Sequence, residues 1–72
     1  MNRIPVKSSD LAEVGYDPLS STLEIRFRTG GTYQYFNVPR QIFEGLMNAS
    51  SKGSYFHARI RRRYRTRRVG AG

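Results

Sequence analysis

The sequence predicts an α+β fold: a small antiparallel sheet of three or more strands covered by two α-helices. Three observations carry that prediction. Leu23, Ile25 and Phe27 alternate with Glu24, Arg26 and Arg28, the period of a strand buried on one face. Thr29-Gly30-Gly31 supplies the positive φ angles of a tight turn; Thr32 to Val38 then reads as the returning strand, which Pro39 ends by removing a backbone donor. Ile42, Phe43, Leu46 and Met47 line one helical face, which supplies the cover that a hairpin marginal on its own in water requires.

Taken in order, Met1 to Pro5 is expected to be flexible, with Val6 the first residue to pack. Ser8-Ser9-Asp10 is turn-like, because short polar side chains compete for local backbone hydrogen bonds. Ala12, Val14 and Tyr16 alternate with Leu11, Glu13 and Gly15, predicting a first strand at 11–16, and Asp17-Pro18 with Ser20-Ser21 turns the chain into the hairpin. Pro39 suits the first turn of the first helix, Gly45 permits close packing against the sheet, and Asn48 suits its end. Ser51 is the expected N-cap of a second helix over 52–63, with Phe56 and Ile60 on one face. Residues 64–69 form either a last strand or an extended tail. One domain therefore spans 6–69, followed by a disordered 70–72.

The register of the hairpin decides the role of its tyrosines. A three-residue loop over 29–31 pairs Phe27 with Tyr33 and Ile25 with Tyr35, which puts both tyrosines on the apolar face. A two-residue Gly30-Gly31 loop slips the pairing by one and exposes them for stacking on bases. The first is preferred, because it gathers five apolar or aromatic side chains on one face.

The chain has 72 residues and a formal charge of +8. A domain this short buries only about 60% of the surface its unfolded chain exposes. There is no cysteine, so no disulfide or thiolate metal site supports it. No apolar run approaches the roughly 20 residues of a membrane span, and the N-terminus lacks the apolar core of a secretory signal. A cytoplasmic protein without cofactor or metal is expected.

The charge is uneven. Residues 1–58 carry six Lys and Arg against five Asp and Glu, a balance of +1, whereas residues 59–72 carry seven Arg and no acid. Such asymmetry points to a polyanion or an acidic protein surface.

Three stretches together resemble the KTSC domain family, named for the C-terminus of some lysyl-tRNA synthetases and found also in small stand-alone bacterial and phage-related proteins. They are VxSSxLxxVGYDP from Val6, LEIRFRTGGTYQYFNVP from Leu23, and SSKGSYFxxxI from Ser50. The family hallmarks are Tyr33-Gln34-Tyr35, Val38-Pro39 and Ser51-Lys52-Gly53, and the resemblance covers Val6 to Val69. It implies RNA binding through its association with a tRNA-charging enzyme. In the family pattern Asn is common at the position of His57, and Pro often follows the position of Tyr64. Here Arg65 follows, inside a denser arginine run, which implies a more polyanion-directed tail.

The candidate nucleic-acid-binding residues are Arg59, Arg61, Arg62, Arg63, Arg65, Arg67 and Arg68, with Lys52 as a further cation and Tyr55 and Tyr64 as stacking partners. Guanidinium groups bind phosphate through two donors and stack on bases. On a continuous helix Arg59, Arg62 and Arg63 would share one side and Arg61 and Arg65 another, which favours backbone contact over base-specific groove reading. RNA is favoured over DNA. The alternatives are an adaptor for an acidic protein partner, and a metal-independent ribonuclease built on His57 with Tyr55, Arg59 or Tyr64. The five carboxylates show no spacing that pairs two of them, so a non-catalytic module is expected. The basic segment has no strong apolar face for a membrane. At the start of the second helix, Lys52-Gly53 is read as part of a plain cap rather than an anion site.

Overall fold

The computed structural model describes residues 1–70. Five antiparallel strands lie in the order β1 (Ile4–Pro5), β2 (Leu11–Asp17), β3 (Thr22–Phe27), β4 (Thr32–Tyr35) and β5 (Thr66–Gly70), each pairing with its neighbour in that order. Between β4 and β5 the chain forms α1 (Arg40–Asn48) and α2 (Lys52–Arg59). The helices contribute Leu46 and Phe56, and the residue after α2 contributes Ile60, to a core whose sheet side is Leu11, Val14, Leu23, Ile25 and Tyr35. The α+β expectation holds, with five strands in place of the minimum three.

The central hairpin has the expected faces but a different register. Ile25 stands opposite Tyr33 and Leu23 opposite Tyr35, two residues away from the expected Phe27–Tyr33 and Ile25–Tyr35 pairs. The turn is closed by Phe27 N–H to Gly31 O at 3.0 Å and Gly30 N–H to Phe27 O at 3.1 Å, so it occupies 28–30 and not 29–31. Gly30 and Gly31 take φ of 104° and 91°, values closed to residues with a Cβ. Arg28 leaves the strand to donate to the carbonyls of Ser8 and Val6. Because sheet faces repeat every two residues, a two-residue slip leaves each side chain on its face. Tyr35 is buried and Tyr33 packs against the core.

Strand β2 departs from simple alternation. Leu11 faces Phe27 while Glu13 faces Arg26, so Ala12 is an extra residue, the arrangement of a β-bulge. The bulge turns Leu11 inward with Val14, and both are fully buried. Farther along, Tyr16 donates its hydroxyl to Val38 O at 2.6 Å and stacks on Phe43 with centroids 4.8 Å apart.

The N-terminus corrects a second expectation. Residues 1–5 are held: Ile4–Pro5 pairs with β2, and Arg3 crosses the outer sheet face to reach Glu13 at 3.1 Å and Glu24 at 3.2 Å. This path depends on Gly15, where a Cβ would lie 2.6 Å from Asn2 O. Arg26 also reaches Glu13 at 3.1 Å, and Gln34 donates to Glu24 at 2.8 Å. At the other end, Gly70 pairs with Thr32 inside β5, against the expected disorder of 70–72; residues 71–72 lie outside the described residues.

The helices differ from expectation in their ends. Pro39 is the N-cap of α1, and Asn48 is its last residue, followed by an extended Ala49. Ser51 caps α2 as expected, its hydroxyl accepting from Ser54 N–H at 3.3 Å. However, α2 stops at Arg59 and not at residue 63. Ile60 is fully buried and has left helical geometry, with φ −123° and ψ −49°; its side chain is fixed in the core while the chain turns towards the sheet edge. Gly45 serves the helix pair rather than the sheet, for a Cβ there would lie 2.1 Å from the Tyr55 hydroxyl.

Two predictions follow from this packing. Gly45→Ala is expected to destabilise the domain by about 1–3 kcal/mol through overpacking. In a Tyr55→Ala background the same change is expected to stabilise by about 0.5–1 kcal/mol, since Ala is the better helix former; urea unfolding that shows no reversal of sign would refute the contact. The second concerns Glu13, whose carboxyl is held below its usual range by the hydrogen bond from Arg26, against desolvation and with help from the charges of Arg26 and Arg3. A depressed folded-state value stabilises above the unfolded-state pKa and is lost as pH falls through the folded one. Arg26→Gln should therefore raise the Glu13 midpoint in an NMR titration, and an unmoved midpoint would count against the pairing.

Candidate nucleic-acid interface

The arginine segment starts where Ile60 ends α2. Ile60 and Arg61 both donate backbone N–H to Phe56 O, at 2.9 and 3.0 Å, and Arg63 N–H donates to Ile60 O at 3.0 Å. The result is a turn anchored on one buried side chain with Arg61, Arg62 and Arg63 exposed around it. Arg63 Nε donates to Ala58 O at 3.3 Å, a favourable position for a cation at a helix C-terminus. Arg65 O accepts from Phe36 N–H at 2.9 Å, which docks the chain beside β4 and begins β5.

In β5, Arg67 stands opposite Gln34 and Arg68 opposite Tyr33. The Arg68 guanidinium carbon lies 5.9 Å from the Tyr33 ring centroid, within the range of a cation–π contact. Burial raises the pKa of the Tyr35 phenol, with the neighbouring Thr66 hydroxyl acting in the opposite sense; that hydroxyl donates to Gln34 O at 3.0 Å. The expected helical display of Arg59, Arg62 and Arg63 on one side does not occur, because the helix ends before them. The cations instead run from the end of α2 round a turn and along an edge strand.

Their electrostatics set them apart from the other cations. All four ion pairs among the described residues involve Arg3, Arg26 or Arg40, and none involves residues 59–68. The side chains of Arg59, Arg62, Arg65 and Arg67 make no hydrogen bond or ion pair among the described residues. Beside them an open groove of about 480 Å³ is lined by Phe36, Asn37, Arg63, Tyr64 and Arg65. Tyr64, one of the two expected stacking residues, is in that lining; Phe36 and Asn37 were not foreseen. The only sequence signal for Phe36 is its odd place in the strand alternation, next to Tyr35.

Lys52 and Tyr55 do not join this group. Lys52 donates its ammonium to Ala49 O at 3.0 Å, closing the end of α1. Tyr55 is half-buried over Gly45 and packs against the core. The start of α2 faces the chain's own acid, for a Cβ on Gly53 would lie 2.5 Å from Asp10 Oδ2, in keeping with a cap and not an anion site. Exposed His57 lines a separate cleft of about 310 Å³ with Lys7, Asp10, Ser51 and Lys52. Tyr55, Arg59 and Tyr64 do not line that cleft, and among the described residues no hydrogen bond joins His57 to any of them. Among the described residues no cluster of His, Cys, Asp or Glu has the makings of a metal site, and no helix is long and apolar enough to cross a membrane.

Comparison with known proteins places the chain in a family. The KTSC domain model matches residues 7–64. A protein of Tsukamurella paurometabola is 39% identical over 61 residues, covering 85% of this chain and 91% of that protein. A lysine–tRNA ligase of Nostoc is 44% identical over 50 residues, which are 69% of this chain but 9% of the ligase. The crystal structure of a KTSC domain protein from Yersinia pestis superposes with a TM-score of 0.94 at 43% identity, covering 96% of this chain and 97% of that one. A sequence pattern across most of the chain and a solved fold across nearly all of it agree: this protein belongs to the KTSC domain family.

Proposed function

We propose that this domain is a non-catalytic nucleic-acid-binding module that takes single-stranded RNA in preference to DNA. The observation that carries the reading is the set of seven exposed arginines from Arg59 to Arg68, none of which pairs with a carboxylate among the described residues. Cations left unpaired by the fold are available to phosphates, and binding them releases counterions. Arg59, Arg61, Arg62, Arg63, Arg65, Arg67 and Arg68 are the phosphate contacts, and Tyr64 is the stacking residue. Lys52 and Tyr55 have structural duties and drop out. The related segment in a lysine–tRNA ligase supports RNA as the polyanion and the cytoplasm as the place of action.

The test is fluorescence anisotropy with a single-stranded RNA across a salt series. With four to six of the seven arginines on phosphates at one time, the slope of log K against log salt is about −3 to −4. A variant with Arg59, Arg62, Arg65 and Arg67 changed to Gln, shown folded by circular dichroism, is expected to lose most of that slope, about 0.7 for each contact removed. Competition with DNA of the same sequence then measures the preference for RNA. Absence of binding at low salt, or binding that the folded variant retains, would overturn the reading, and an acidic protein partner captured by the same arginines would replace it.

A further inference from the structure

We infer that the groove lined by Phe36 and Tyr64 seats one unstacked nucleobase, a purine by preference, with Asn37 reading its edge. The inference rests on the nucleic-acid function proposed above and adds a base-dependent site to a phosphate-dependent one.

Phe36 is the first observation. It follows buried Tyr35 just past the end of β4, is only partly buried, and lies outside the core cluster. It has no aromatic partner among the described residues. Tyr64, across the groove, rests partly on the core and is likewise without a ring partner or a hydrogen bond for its hydroxyl. Two aromatic side chains with unused ring surface, flanked by Arg63 and Arg65, supply what an unstacked base needs: apolar π-surface for its faces and cations for its phosphates. The groove volume of about 480 Å³ lies within the roughly 300–1,000 Å³ of small-molecule sites.

Asn37 is the second. It holds a left-handed backbone conformation, φ 57°, one that Asn tolerates better than most residues. The residues either side are pinned, Phe36 N–H to Arg65 O and Val38 N–H to Ser21 O, both at 2.9 Å. Its carboxamide is exposed and makes no hydrogen bond among the described residues. A carboxamide offers one donor group and one acceptor side by side. Adenine matches that pair at N6–H with N7 and at N6–H with N1, and an unstacked guanine matches it at N1–H with O6. Cytosine and uracil offer one such edge and a smaller stacking surface. Because the loop is already fixed, little ordering is needed on binding.

The experiment compares labelled hexamers of A, C, U and an abasic ribose-phosphate backbone, at one salt concentration and by anisotropy. The intact protein should bind the A hexamer about tenfold more tightly than the abasic one, the order of one stacked base, and more tightly than C or U. Asn37→Gly keeps the positive φ accessible and should level A, C and U while leaving the salt slope unchanged. Phe36→Leu should bring every hexamer close to the abasic affinity, again with the slope intact. Equal binding of abasic and A hexamers by the intact protein overturns the base site while leaving phosphate binding standing. Levelled affinities in the intact protein overturn the role of Asn37. Binding to none of the four at low salt overturns the base site together with the nucleic-acid reading beneath it.

Discussion

The position of every arginine in the candidate interface depends on how Phe56 and Ile60 enter the core. The Phe56 ring meets Phe27 and Tyr35 edge-on, with centroids 5.2 and 5.5 Å away, and Ile60 is wholly buried four residues later. Together they clamp α2 across β3 and β4. A helix continued past Ile60 would carry its arginines away from the sheet; the chain turns instead, docks beside Phe36 and adds β5 to the edge. The apolar contacts therefore settle where the cations stand, although no cation takes part in them.

The distribution of acids completes the arrangement. Glu13 and Glu24 are held on the outer sheet face by Arg3 and Arg26, and Glu44 pairs with Arg40. Asp17 accepts from Leu19 N–H and Ser20 in its own turn, and Asp10 lies against Gly53. Among the described residues none of the five acids forms an ion pair with the arginine segment. Local charge balance is maintained in the body of the domain and abandoned at its C-terminal edge, which concentrates the excess charge on one border of a particle measuring 27 × 26 × 23 Å.

Period and turn chemistry made the hairpin faces, both helices and the Ser51 cap legible in the sequence. What was not legible is what tertiary contacts decide. The turn moved to 28–30 because Arg28 is drawn towards the carbonyls of Ser8 and Val6, a contact between segments 20 residues apart. The bulge at Ala12 is invisible to a strict two-residue period. Helix propensity runs on through the arginines, and only the burial of Ile60 ends α2. Tyr55 reads as a free aromatic in sequence because nothing local shows that Gly45 makes room for it. Phe36 reads as one more strand residue, although β4 ends before it at Tyr35.

A more economical account of the arginines is that they protect an edge strand, since charged side chains on an exposed edge discourage pairing with another chain. That account suits Arg67 and Arg68, which lie within β5. It does not reach Arg59 in α2, Arg61, Arg62 and Arg63 in the turn, or Arg65 ahead of the strand, where there is no edge to protect. Five cations out of seven therefore need another explanation. Their mutual repulsion is a cost in a small domain with a thin stability margin. Binding of the polyanion proposed above would offset that cost, and the aromatic groove among these same arginines would supply an apolar contact that an edge-protecting role does not require.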